Sequence, residues 1–229
     1  MSDHVIAIIP ARIDSSRFPA KMIADASGKP LIQYAWEVAI AAKSVSQVCV
    51  ATDSPEIAQI VSAFGGEVIM TGEHPNGTSR IAEAVGQLEC DVVVNLQGDE
   101  PELDPTVIDA TVAVLGDYSM ATAACVLETD EINNEHVVKV VLNAAGCAHD
   151  FARLTEDTSA MRHIGLYVYT PAFLQTYVSM QPTQNEITRR LEQMRAIDNG
   201  FDIAVACVDS QPSGIDTKEQ YDAFVERVN

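Results

Sequence analysis

The hydrophobic pattern changes period repeatedly along the chain. Residues 5–9 form an unbroken apolar run, as expected of a strand buried on both faces. Further strands are expected at 48–51, 67–70 and 91–96, each with an apolar centre. Helical spacing fills the gaps, at 31–42, from Pro55 to Phe64, and where Ile81, Val85 and Leu88 share one face. Ser54-Pro55 and Asp104-Pro105 each place a capping side chain before a proline at the first helical position. Gly65-Gly66 stops the first of these helices, and the second ends near Leu115. This alternation predicts an α/β fold, a mostly parallel sheet covered by helices on both faces.

The second half is less regular. Strands are expected at 120–126, 137–142, 163–169 and 203–208. The first three follow one another without long helices, so part of their pairing is expected to be antiparallel. Thr170-Pro171 opens a short helix. Thr183-x-x-Glu186 has capping-box spacing and opens another, with Ile187, Leu191 and Met194 on one face. Tyr221, Phe224, Val225 and Val228 stripe the last helix. The expectation is one domain, 1–229, with a small subdomain around 130–182.

Composition narrows the function. With 229 residues, 47% of them apolar, the chain can bury a core without disulfides or metal. A net charge of −19 excludes nucleic acid as a partner and disfavours an anionic membrane surface. The five cysteines, Cys49, Cys90, Cys125, Cys147 and Cys207, show no Cys-x-x-Cys spacing and read as buried free thiols of a reduced compartment. No leader and no run long enough to span a bilayer is seen, so a cytoplasmic protein without membrane insertion is expected.

In so acidic a chain, clustered basic residues matter. The loop after the first strand, Pro10 to Lys21, holds Arg12, Arg17 and Lys21, with Ser15 and Ser16 among them. Arginine forks and a mobile lysine charge suit a triphosphate. The loop is neither a Walker A motif, since Gly28-Lys29 is followed by Pro30, nor a Gly-x-Gly-x-x-Gly turn. Asp99, in Gln97-Gly98-Asp99-Glu100-Pro101, follows a buried strand and could hold Mg²⁺ against a triphosphate. Alone, Gly-Asp is an ordinary turn. Asp216, in Ser213-Gly214-Ile215-Asp216-Thr217, reads on its own as a helix N-cap, and beside Asp99 as a second carboxylate for the same ion. His4, His74, His136 and His149 have no ligand spacing and read as surface or core residues. Trp36 reads as core or interface.

The ordered blocks carry a resemblance. They are Ile9-Pro10-Ala11-Arg12 with Ser15-x-Arg17-x-Pro19-x-Lys21, Gly28-Lys29-Pro30, Ala51-Thr52-Asp53, Gly77-Thr78-x-Arg80 and Gln97-Gly98-Asp99-Glu100-Pro101. Val138-Lys139-Val140-Val141, Arg162-His163-Ile164-Gly165, Leu191-Glu192-Gln193-x-Arg195 and Gly214-Ile215-Asp216-Thr217 continue them. The chain resembles the 3-deoxy-manno-octulosonate (Kdo) cytidylyltransferases, or CMP-Kdo synthetases, over nearly its whole length. The resemblance implies a Rossmann-like nucleotidyltransferase fold with a mixed-strand dimerisation subdomain, and a homodimer. It implies transfer of CMP from CTP to the anomeric hydroxyl of Kdo, with release of pyrophosphate, which activates Kdo for lipopolysaccharide or a related glycan.

By position, Pro10 and Ala11 would bind the nucleotide, and Arg12, Ser15, Arg17 and Lys21 would bind its triphosphate. Ala51, Thr52, Asp53, Gly77, Thr78 and Arg80 would surround the cytidine. Asp99 and Asp216 would hold Mg²⁺ as cofactor, acting with Arg12 and Lys21 in catalysis. Gln97, Arg153, His163, Glu192 and Gln193 would meet the sugar acid. Two departures stand out. Phe18-Pro19-Ala20-Lys21-Met22-Ile23 replaces Leu-Pro-Gly-Lys-Pro-Leu, so glycine's left-handed freedom is absent at Ala20. Only 154–161 separate Arg153 from the Arg162-His163 block, where relatives have a longer segment over the sugar site. Two other readings are a cytidylyltransferase for another 2-keto sugar acid, such as a sialic acid or a modified Kdo, and a catalytically silent nucleotide-binding regulator. The sialic-acid type carries Gly-Gly-Ser-Lys, which Ile13-Asp14-Ser15-Ser16 lacks, and both aspartates argue against a silent relative.

Overall fold

The computed structural model describes residues 4–13 and 18–229. Its frame is one nine-stranded sheet. Strands β1 (Val5–Ala11), β2 (Gln47–Thr52), β3 (Glu67–Met70) and β4 (Val92–Asn95) pair in parallel. Helices α1 (Leu31–Ala41), α2 (Pro55–Ala63) and α3 (Gly77–Val85) connect them. Helix α4 (Pro105–Leu115) leads to β5 (Met120–Cys125), then β6 (Lys139–Leu142), β7 (Ala148–Ala152) and β8 (Met161–Tyr169). Helices α5 (Pro171–Ser179), α6 (Gln184–Arg189) and α7 (Met194–Asp198), strand β9 (Ala204–Val208) and helix α8 (Lys218–Val228) complete the chain.

The sheet order is β3-β2-β1-β4-β8-β5-β9. Strand β8 runs antiparallel to both neighbours, while β5 and β9 pair in parallel. The antiparallel pairing expected in the second half is therefore centred on β8. Within 130–182, the β6–β7 hairpin branches off β8, whereas β8 itself sits inside the main sheet.

The continuous apolar strands lie where both faces are covered. Ile6, Ile8 and Ile9 of β1 are fully buried, each burial stabilising by about 2 kcal/mol. Ala7 and Ile9 pack with Ile32, Ala35, Ile57 and Val107 on one face. Ile6 and Ile8 pack with Ile81, Val85, Leu174 and Met194 on the other. Helix α8 closes a third cluster, its Tyr221 and Phe224 against Phe18, Leu31 and Ile215. The caps form as read. Ser54, Asp104 and Thr170 accept from the first turns of α2, α4 and α5, each followed by proline. Among the described residues no helix is long and apolar enough to cross a membrane. The five cysteines are free; Cys49, Cys125 and Cys147 are buried as expected, but Cys90 is half-buried and Cys207 is exposed, near the end of β9 where burial gives way to exposure.

Two elements depart from expectation. The strand β7 was not foreseen. The helix opened by the Thr183/Glu186 capping box ends early, because Arg190 adopts a left-handed conformation (φ 55°) and the chain turns before α7. Leu191 and Met194 are buried as expected, but Ile187 is 60% exposed.

Candidate active site

The carboxyl ends of β1 and β4, the loop after β3 and the start of α3 enclose a cleft of about 290 Å³. Its lining includes Pro10, Ala11, Arg12, Lys21, Gly77, Arg80, Gln97, Asp99 and Asp216. Asn76 caps α3 by accepting from the Ser79 amide at 2.8 Å, so the helix directs its positive end into the cleft. Gly77 lies close against the end of β1: a Cβ there would lie 3.0 Å from the Pro10 ring. Arg80 is buried. Its Nη1 donates to Thr71 Oγ1 at 2.7 Å and its Nη2 to Asp53 Oδ2 at 2.9 Å. The guanidinium thus braces the loops after β2 and β3 against each other.

Lys21 lies at the cleft's edge. Its Nζ donates to Asp99 Oδ2 at 2.5 Å and to the Ile215 carbonyl at 2.8 Å, and lies 3.7 Å from Asp216 Oδ1. Two segments distant in sequence are stitched together to achieve this. The Ile215 amide donates to the Asp99 carbonyl at 2.8 Å, and Gly214 packs so closely that a Cβ would sit 2.8 Å from Glu100 Oε1. The N-cap of α8 is Thr217, in a capping box with Gln220, so Asp216 is not the cap. Burial, reinforced by Asp99, pushes the Glu100 carboxyl up to about 8. Asp99 and Asp216 suit Mg²⁺: both are hard oxygen donors directed at one positive charge. Among the described residues no group of three or more His, Cys, Asp or Glu side chains forms a metal cage. Phosphate oxygens and water would complete the shell, as is usual for this ion.

A second cavity, about 450 Å³, meets the first at Gly77 and Gln97. Gln97, Arg153, His163, Glu192 and Gln193 all line it. The His163 ring packs edge-on to Phe151 and near Tyr167, with Nε2 2.9 Å from Thr122 Oγ1. Burial pushes it down to about 3, so the ring is neutral near pH 7. Burial raises the Glu192 carboxyl, opposed by the hydroxyl of Thr78, which donates to it at 3.0 Å. Arg153 Nη1 donates to the Glu135 carbonyl at 3.0 Å. The fully buried Lys139 ammonium binds the carbonyls of Asn134, Val137 and Arg153, which fixes this wall. The left-handed turn at Arg190 swings Glu192 and Gln193 inward. A forked pair from Arg195 to Glu186 holds that turn.

A model of the cytidylyltransferase family matches residues 6–203. A 3-deoxy-manno-octulosonate cytidylyltransferase of Anaeromyxobacter sp. (strain K) is 44% identical over 227 residues, covering 94% of both chains. The chain belongs to the 3-deoxy-manno-octulosonate cytidylyltransferase family. A member from Geobacter sulfurreducens is 38% identical, covering 98% of this chain and 99% of its own. The solved structure of a CMP:2-keto-3-deoxy-manno-octonic acid synthetase complexed with CTP superposes with a TM-score of 0.93, at 33% identity and 98% coverage of each chain. An inositol-1-phosphate CTP transferase from T. maritima, at 12% identity and a TM-score of 0.73, shares the fold. This family member is accordingly a nucleotidyltransferase.

Not every predicted contact falls where the family pattern suggested. Ala51 and Thr52 are fully buried in β2 and do not line the cleft; Asp53 pairs with Arg80, which does. Thr78 faces the second cavity, on Glu192, rather than the first cleft. Ser15 and Arg17 lie outside the described residues. Ala20 takes the left-handed conformation (φ 55°) without glycine. His74, read from sequence as bland, lines the cleft, with Nε2 2.5 Å from Glu83 Oε2. Glu83 is held below the usual carboxylate range by that ring and by the Gly72 amide. Arg190 and Tyr177 also line the second cavity. The nearby Gly77-Thr78 and Glu192-Gln193 motifs were the only sequence signals pointing toward them.

Proposed function

We propose that this chain transfers CMP from CTP to the anomeric hydroxyl of Kdo and releases pyrophosphate. The observation that carries the reading is the pair of cavities meeting at Gly77 and Gln97, with Lys21, Asp99 and Asp216 at the first. The triphosphate would lie along Arg12, Lys21 and the start of α3, with the base near Arg80. The sugar acid would occupy the second cavity, where Arg153 and Arg190 suit a carboxylate and Glu192, Gln193 and neutral His163 suit hydroxyls. The hydroxyl would then bond to the α-phosphorus as the bond to pyrophosphate breaks. Mg²⁺ held by Asp99 and Asp216 would supply positive charge to the phosphates and acidify the attacking hydroxyl.

Pyrophosphate release tests this, with CTP or ATP against Kdo, a sialic acid and other 2-keto sugar acids. Turnover with CTP and Kdo above all other pairs is expected. Equal turnover with ATP, or faster turnover with a sialic acid, would overturn it. The chain is further proposed to form a homodimer. Exposed Val126, Ile132 and Leu154 beside β5, β6 and β7 offer apolar surface to a partner. Light scattering that gives a monomer at micromolar concentration would refute this.

A further inference from the structure

Lys21 is placed by an unusual backbone. Ala20 holds φ 55° and ψ 26°, and Lys21 opens the 3-10 turn Lys21–Ile23. The residue is 6% exposed. Its ammonium faces the two carboxylates proposed to hold Mg²⁺, 2.5 Å from Asp99 and 3.7 Å from Asp216, with the Ile215 carbonyl as a further acceptor. Lys29 is committed elsewhere, to Glu37.

We infer that Lys21 is an internal cation that keeps free divalent metal off the Asp99–Asp216 pair until a triphosphate enters the cleft. The inference rests on the cytidylyltransferase reading. An ammonium and a divalent ion compete for the same carboxylate lone pairs. A metal arriving alone must displace the ammonium and leave a nearly buried charge without its carboxylate partner, which is costly. A triphosphate in the same cleft offers phosphate oxygens in exchange. Lysine suits this because its charge sits on a flexible stem and can move from one set of oxygens to another. Metal and nucleotide therefore load together, and the empty enzyme does not retain the ion.

The test reads metal binding, not turnover. Mn²⁺ is titrated into nucleotide-free protein and the free ion is followed by electron paramagnetic resonance. Lys21→Met is expected to bind Mn²⁺ at least about tenfold more tightly than wild type, and the gain should vanish in Lys21→Met/Asp99→Asn. Lys21→Arg, which keeps the charge, should bind as weakly as wild type, and circular dichroism checks that each variant is folded. The wild type gives a second reading that needs no substitution at Lys21. Mg²⁺ alone should leave its melting temperature unchanged, whereas Mg²⁺ added with CTP should raise it above CTP alone. Equal Mn²⁺ affinity in wild type and Lys21→Met would overturn the inference. So would a gain that survives Asp99→Asn, or a melting-temperature rise from Mg²⁺ alone that Asp99→Asn abolishes. Failure of the underlying reading looks different: metal uptake in the presence of CTP would then be insensitive to Asp99→Asn.

Discussion

Replacing Asp216 by asparagine separates metal holding from helix capping. The structural cost should be small. Thr217 caps α8, not Asp216, and the Asp216 side chain is 44% exposed. Its carboxylate lies 3.7 Å from the Lys21 ammonium. Solvent at that exposure keeps such a pair within about 1 kcal/mol. The chemical cost should be larger. The amide keeps the shape but removes one of two charged oxygens from the proposed ion site. Loss of one such electrostatic contact costs about 3 kcal/mol, or roughly a hundredfold in rate. Pyrophosphate release at saturating CTP and rising Mg²⁺ reads the chemical cost, as a higher Mg²⁺ requirement and a lower plateau. Thermal unfolding by circular dichroism reads the structural cost and should differ little from wild type. A plateau within threefold of wild type would refute the metal role of Asp216.

Arg80→Lys loses the fork between Thr71 and Asp53. It should raise the KM for CTP about tenfold, while the KM for the sugar acid stays unchanged in initial-rate measurements. Burial holds His163 near about 3, whereas an unfolded histidine titrates near about 6.5. Between these values the unfolded chain binds the extra proton, so stability falls as pH drops from about 6.5 toward about 3. His163→Gln should flatten that fall in urea unfolding followed across pH, and an unchanged slope would refute the assignment. Arg195→Met strands the buried Glu186 carboxylate and should cost about 3 kcal/mol in urea unfolding; a loss below about 1 kcal/mol would show that the pair is dispensable.

Where local chemistry decides the structure, the sequence was readable. The run Val5 to Ile9 needs a strand covered on both faces, and Ser54-Pro55, Asp104-Pro105 and Thr170-Pro171 each start a helix for reasons contained in a few residues. Strand β7 escaped because Ala-His-Asp-Phe-Ala has no β-branched residue, and its strand character comes from pairing with β6. The break at Arg190 escaped because a left-handed arginine leaves no mark of the kind glycine does. At the site, the family motifs located Lys21, Asp99 and Asp216, but Asp216 could not be told from a helix cap until Thr217 was seen in that role. His74 stayed hidden for a similar reason. Its position on the cleft follows from Glu83, on the next helix, drawing it in.

The meeting of the two cavities at Gly77 and Gln97 bears on how turnover ends. Under the proposed reaction, each substrate grips only one chamber, but the CMP-sugar spans both. Joining the two heads makes each an anchor for the other, at the high effective concentration of a tethered ligand. The product should therefore bind more tightly than CMP or the sugar acid alone, without any added contact. It can leave only when both heads let go together or in quick succession. Escape, rather than bond making, would then set the pace at saturating substrate. Product held in this way would also compete with CTP and the sugar acid at once, so accumulated CMP-sugar would slow its own synthesis.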